Sequence, residues 1–431
     1  MTNGFWDVLD ARSGAGLSEL AARGPKRDAK TEETVANILA DVLLRGDAAL
    51  LDVCRQFDCS NLEELRVTAT EIDEAEVAPD VDAALDHAIR RVTEFHVAQA
   101  REFGLGAGTT RTWGAEVGQQ IRPLARVGVY VPGGAAAYPS SVLMNVIPAV
   151  VAGVGEVIVT TPCRADGTLE PAVLVALRKT GVRTAFKVGG AAAIASLAFG
   201  TESVPRVDKI VGPGNRFVNE AKRQVWGRVG LDGYAGPSEV CVVVDDSSDP
   251  VLAAADLLTQ LEHAPDNAGF LISESPEAIA AVYTELHVRL ELEPRREILD
   301  AALERNGRTI LVQDRDHALE AVNLLAAEHI TVAVREADTF AVGVVNGGCI
   351  LIGEFSAESA GDYLAGPSHT LPTAGAARWQ SPVNVLDFIK IQSRIALDRA
   401  AMAALAEDIR VLAELEGFPA HARGATLRSA S

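Results

Sequence analysis

From Arg126 onward, short runs rich in valine and isoleucine alternate with helix-period stretches. This rhythm narrows the fold more than any other feature. Arg126–Val131, Glu156–Thr160, Ala185–Val188 and Lys209–Val211 form a first round. Glu239–Val244, Gly269–Ile272, Thr309–Val312, Ile330–Val334 and Cys349–Ile352 form a second. Strand-like runs separated by helical patterns are the βαβ signature of a mostly parallel sheet. The two rounds hint at a duplication, although no residue-level repeat accompanies them. The first ~120 residues read as helical. Val35, Ile38, Leu39, Val42 and Leu43 share one face, with Gly46 as a stop. Leu85, Ile89, Val92 and Phe95 repeat the pattern. A last helical stretch, Leu397 to Glu416, stops at Gly417. That tail has too few apolar residues to stand alone, so it is expected to pack on something else, a second subunit among the options.

At 431 residues the chain has room for roughly three domains, and 48% hydrophobic content fills more than one core. Lys plus Arg number 39 against 59 Asp plus Glu, giving a formal charge of −20. Such acidity opposes binding to a phosphate backbone or an anionic membrane. Five cysteines without a C-x-x-C pair argue against a disulfide framework or a cysteine zinc knuckle. Reduced thiols of a cytoplasmic enzyme fit better. The first residues lack a basic and then apolar leader, so no signal peptide is read. The longest apolar run, Val142–Val154, contains Asn145 and Pro148 and is too short to span a bilayer.

Four separated pieces carry chemistry. Asp249-Pro250 marks a helix start whose apolar stripe runs to Leu261. On that helix Gln260 and His263 are three apart and share a face, where they could hold one metal ion. An amide oxygen would also admit Mn or Co in place of Zn. Spacing alone still favours a polar helix edge. Glu328-His329 sits at a helix–strand junction and suits a general-base pair. A surface Glu-His dipeptide is the plainer alternative. Asp362, His369 and His421 fall in loops or at helix ends, and Glu416 ends the last helix. Gly189-Gly190 and Gly212-Pro213-Gly214-Asn215 each follow a strand and open a helix, where backbone N–H groups can hold a phosphate. Neither is the G-x-G-x-x-G dinucleotide fingerprint.

Taken together, these segments resemble the histidinol dehydrogenase family. The resemblance runs from about Arg122 to His421 and rests on segments in the family's order. They include Arg126–Gly134, Tyr138–Met144, Gly212–Asn215, Ala235–Glu239, Gln260–His263, Ala327–His329, Ser359–Tyr363 and His369–Pro372. It implies an α/β fold of two incomplete Rossmann-like parallel-sheet domains with small helical N- and C-terminal extensions. The implied division is an N-terminal extension over 1–25, a first domain from 26–125 with 236–380, a second over 126–235, and a tail domain over 381–431. It implies an intertwined homodimer in which each tail completes the partner's site. Zinc would be held by Gln260, His263, Asp362 and His421, the last from the other subunit. Glu328 and His329 would be catalytic. Ser238, His369 and Glu416 would join His329 and the zinc ligands around the substrate, and Tyr130 and Asn215 would contact NAD. The implied reaction oxidises histidinol through an aldehyde to histidine, using two NAD per substrate.

Some positions depart from the family pattern. Ala192 stands where a cofactor-contacting Gln is usual. Ser368 precedes His369 in place of Asn, Gly233-Tyr234 precedes Ala235, and Ser381-Pro382-Val383-Asn384 is also unusual. Two other readings therefore stay open: a related zinc/NAD dehydrogenase of another small polar alcohol, and a cofactor-impaired, non-catalytic relative.

Overall fold

The computed structural model describes residues 6–429, apart from 14–15, 18–21, 23, 25–27, 106–110, 113–114, 134–136 and 234–235. Gly134, Tyr234, Ala235 and much of the 1–25 segment therefore lie outside the described residues. In chain order the strands are β1 (Asp7–Asp10), β2 (Arg111–Thr112), β3 (Ala115–Pro123), β4 (Arg126–Tyr130) and β5 (Glu156–Thr161). Next come β6 (Thr184–Lys187), β7 (Lys209–Val211), β8 (Gly230–Leu231), β9 (Glu239–Val244) and β10 (Ala268–Ser273). The last are β11 (Gly307–Leu311), β12 (His329–Ala333), β13 (Cys349–Ile352) and β14 (Ile389–Ala396).

They build two parallel sheets and one antiparallel ribbon. The six-stranded sheet runs β1-β11-β10-β9-β12-β13 and the five-stranded sheet runs β6-β5-β4-β7-β8. The ribbon is β14-β3-β2. Strand β9 shows why the parallel reading works. All six of its residues are buried. Val240, Val242 and Val244 enter one core, while Cys241 and Val243 enter the other. Side chains alternate across a strand, so helices must cover both faces. Helices Pro250–Leu261, Pro276–Leu290 and Arg296–Asn306 supply one layer, and Arg315–Leu325 the other.

The grouping of the chain differs from the sequence expectation in two places. Strand β1 pairs in parallel with β11, so part of the expected N-terminal extension is an edge strand of the six-stranded sheet. The early helices do not join that sheet. Val35, Leu39 and Val42 of Ala29–Arg45 and Leu85 and Val92 of Pro79–Glu102 share a core with β4 and β5. Residues 29–102 therefore pack chiefly with 126–231, although Arg91 also donates to Leu364 O and Phe95 lies against Gly366. An amphipathic period shows which face of a helix is buried but not which sheet buries it. We propose that the domains divide along these cores.

The tail pairs β14 with β3 and then forms two helices, Arg399–Leu415 and Pro419–Ser429, which pack chiefly on each other. Ile391, Ile395, Leu412, Leu415, Phe418 and Leu427 stay exposed. So broad an apolar face is characteristic of a surface awaiting a partner.

Candidate active site

In a parallel sheet each crossover helix runs back against its strands, so its C-terminal end returns to their amino-terminal edge. Helix Pro250–Leu261 does this after β9. Its Asp249 cap accepts from Val251 N–H, and its last turn returns Gln260 to the level where β9 and β12 begin. There His329 is in register with Val240 and Cys349. Asn267 secures the turn, donating to Gln260 O at 2.7 Å and accepting from Ser238 N–H at 3.0 Å. Asp362 comes from the short helix Glu358–Tyr363, just beyond β13. His369 follows in a loop, its Nδ1 2.9 Å from Asp362 O.

The result is a buried cluster. Gln260 Nε2 lies 3.2 Å from His329 Nδ1, and His329 Nε2 lies 3.6 Å from Asp362 Oδ1. Glu328 Oε2 is 3.9 Å from His329 Nδ1 and accepts a 2.9 Å hydrogen bond from Glu239 N–H. Burial raises the Glu328 carboxyl to about 7, opposed by the neighbouring His329 charge and the Glu239 N–H. Burial alone would lower His329, but the surrounding carboxylates Glu358, Asp362 and Glu328 raise it to about 9. Burial likewise works against ionised Asp362, yet His329, with help from His369 and His263, holds it below the usual carboxylate range. Burial lowers His369. A carboxyl pushed up beside an imidazole pushed up gives two groups that exchange protons near neutral pH, the condition for acid–base chemistry.

One acceptor here is conspicuously idle. Gln260 Oε1 is buried without a hydrogen-bond partner. A buried amide oxygen left unpaired costs roughly 1–3 kcal/mol, so its position is explained by a ligand it is meant to meet. Asp362 is beside it through His329, and His263 stands exposed at the rim, close enough to act electrostatically on Asp362 and His369. An amide oxygen, a carboxylate and an imidazole are a donor set that zinc accepts. Among the described residues of a single chain, no three His, Cys, Asp or Glu converge on one metal position. The fourth expected ligand, His421, is exposed on the tail, as is Glu416. Ser238 lies beside Glu239 at the opening of β9, partly exposed.

Two carboxylates of this cluster escaped the sequence reading. Glu358 is fully buried, and burial raises it far above its ordinary range against the pull of His329 and the Gln260 side chain. Asp256 is raised to about 6 by burial. Their signal was available: Asp256 is four residues before Gln260 and Glu358 four before Asp362, spacings that share a helix face. A carboxyl whose folded value is raised supports the fold while protonated and loses that support as pH rises through the folded value. Glu358→Gln should therefore raise the thermal midpoint of metal-free protein at pH 8 and change it little at pH 4. Differential scanning calorimetry in chelator checks this; a lower midpoint at pH 8 contradicts it.

The expected cofactor residues lie on the other sheet, at its carboxyl edge. Strand order β6-β5-β4-β7-β8 reverses direction between β4 and β7, the place where parallel sheets open a ligand crevice. Tyr130 ends β4, and its hydroxyl accepts from Gly190 N–H at 3.3 Å. Asn215 caps helix Arg216–Val225, accepting from Phe217 and Val218 N–H. A buried ion pair, Lys222 Nζ to Asp232 Oδ1 at 2.7 Å, pins the loop that carries it. Asp232 Oδ2 also accepts from Gly212 N–H at 2.7 Å. Gly212 has φ of 114°, and a side chain there would strike the Tyr130 carbonyl, so the loop requires glycine. Ala192 is fully buried in the helix after Gly189, so this position offers the crevice no polar group. The loop after His369 joins the two units: Asn145 Nδ2 donates to Thr370 Oγ1 at 3.1 Å, and Ala374 N–H donates to Glu239 Oε2 at 3.1 Å.

Comparison with known proteins adds identity to this geometry. A family model for histidinol dehydrogenase matches residues 21–429. The histidinol dehydrogenase of Geobacter sulfurreducens is 43% identical over 98% of this chain and 99% of its own. That of Halalkalibacterium halodurans is 44% identical over 94% and 96%. The crystal structure of histidinol dehydrogenase from Elizabethkingia anophelis superposes with a TM-score of 0.92 at 30% identity, covering 99% of this chain and 98% of that one. The match spans both sheets, the buried Glu328-His329 cluster and the tail, so the chain belongs to the histidinol dehydrogenase family.

Proposed function

We propose that the chain oxidises L-histidinol through L-histidinaldehyde to L-histidine, with two NAD in turn as hydride acceptors. Overall one alcohol and one water give one carboxylate, two NADH and three protons. The observation that carries this reading is the buried contact of Glu328, His329 and Asp362 beside the idle Gln260 oxygen. His329 takes the hydroxyl proton as the first hydride leaves. Glu328, held near neutral pH between its two protonation states, takes a proton from the water that adds to the aldehyde. His329 again accepts a proton from the hydrate as the second hydride leaves. Holding the aldehyde between steps keeps a reactive carbonyl from escaping.

Gln260, His263 and Asp362, with His421 of the partner subunit, would hold a zinc ion that anchors the substrate's amine and imidazole nitrogens. Ser238, His369 and Glu416 of the partner subunit would complete the substrate pocket, and Tyr130 and Asn215 would meet NAD. The exposed apolar tail supports an intertwined homodimer. Five free cysteines fit a cytoplasmic setting. Among the described residues, no helix is long and apolar enough to cross a membrane.

NADH yield per histidinol tests the reading. Two per substrate are expected, abolished by a chelator and restored by zinc. A yield of one, or full activity in chelator, refutes it. Glu328→Gln should slow oxidation of histidinaldehyde far more than oxidation of histidinol. Equal slowing of both half-reactions would remove the assigned division of labour.

A further inference from the structure

The carboxyl edge of the five-stranded sheet holds one group that neither the site above nor the family resemblance uses. Asp58 follows helix Asp47–Phe57, and its N–H donates to Cys54 O at 2.8 Å. Cys54 is buried and its Sγ lies 3.4 Å from Lys187 O, the last residue of β6. This contact sets Asp58, one helical turn on from Cys54, near the end of β6. Its surroundings agree. Tyr130 from β4 and Cys163 from just past β5 both feel the Asp58 charge. The Tyr130 hydroxyl reaches the Gly190 N–H that opens the helix after β6. Close beside it, a side chain at Gly133 or Gly189 would press on Pro162, so backbone is brought near the surface of this crest.

Asp58 also has spare hydrogen-bonding capacity. It is half-buried, and among the described residues its carboxylate has no hydrogen-bond or ion-pair partner; only burial acts on it, raising it to about 6. Lys187, the buried cation that ends β6, is held by Glu71 at 2.6 Å. A partly desolvated carboxylate without a protein partner costs some stability and leaves its oxygens open to a ligand. The ligand must present hydroxyl donors and lie at the carboxyl ends of parallel strands beside a helix amino terminus. A nucleotide ribose does so, and in other dinucleotide folds a carboxylate takes its hydroxyl hydrogens.

We propose that Asp58 is a cofactor-binding residue that accepts hydrogen bonds from a ribose diol of NAD and repels a 2′-phosphate. The inference rests on the placement of NAD at this edge. It gives the crevice a polar contact that Ala192 does not supply. It also predicts a strong preference for NAD over NADP.

Calorimetric titration of the intact protein with NAD and with NADP tests this in Asp58→Asn and, as a reference for the site itself, Asn215→Ala. Asp58→Asn keeps the side chain's shape and should weaken NAD binding about tenfold while shrinking the NAD/NADP preference by at least as much. In steady state it should raise the KM for NAD more than it lowers kcat. Its thermal midpoint at pH 8 should equal or exceed that of the parent, because a carboxylate disfavoured by burial has been neutralised. If Asn215→Ala weakens NAD binding while Asp58→Asn changes neither affinity nor preference, Asp58 has no such role. If neither variant changes NAD binding, the placement of the cofactor fails as well.

Discussion

Replacing His329 by Asn should lower turnover of histidinol by ~10²–10⁴-fold, the usual worth of a positioned general base. Asn preserves much of the volume and a polar contact to Gln260 but cannot carry a proton between substrate and solvent. Zinc content should change little, because His329 is not among the proposed ligands, and any change in histidinol affinity should be small beside the loss of turnover. Both hydride transfers should slow, since each needs a proton removed from oxygen. The pH dependence sharpens the test. The carboxylates Glu358, Asp362 and Glu328 hold the His329 proton up to about 9 against the effect of burial. The imidazole is thus mostly protonated at neutral pH and cannot accept a proton until pH rises. A zinc ion on Asp362 would offset one of these carboxylate charges, so parent turnover should climb with pH somewhere below 9, and the Asn variant should lose that climb. Near-normal turnover in the variant, or an unchanged pH profile, would remove His329 from the role.

Much of this architecture was legible in the sequence because parallel sheets impose a strong pattern. Buried strands such as β9 need apolar residues toward both faces, and the Val-rich run Glu239–Val244 announces that need. The proposed catalytic pair was visible as a junction: Glu328 and His329 fall where helix Arg315–Leu325 gives way to β12. The destination of the early helices was not visible. Their apolar stripes fit either sheet equally well, and only three-dimensional packing assigned Val35 and Val92 to the β4–β5 core. Glu358 and Asp256 were overlooked because acidic residues are usually solvated, so a helical carboxylate attracts notice only once its burial is known. Asp58 was missed for the same reason: a charge after a helix end reads as a solvated cap. The tail's shortage of apolar residues was legible, and Leu412, Leu415 and Phe418 stand exposed in the fold.

The tail carries the second large effect. Truncation before Asp398 should reduce activity to background, because it would remove both Glu416 and His421 from the partner's site. His421→Ala alone should lose activity together with bound zinc. The proposed shared site makes a stronger demand, however: two inactive variants must rescue each other when their subunits mix. His329→Asn leaves the tail intact, and His421→Ala leaves the Glu328-His329 cluster intact. Random exchange makes about half of all dimers mixed, and each mixed dimer contains one site assembled from two sound halves.

The most direct measurement is therefore the activity of His329→Asn and His421→Ala proteins after unfolding and refolding together. Recovery to about a quarter of the parent's activity, with neither variant recovering alone, is the predicted result. Activity that stays at background in mixtures shown to contain mixed dimers would contradict a site built from the core of one subunit and the tail of the other.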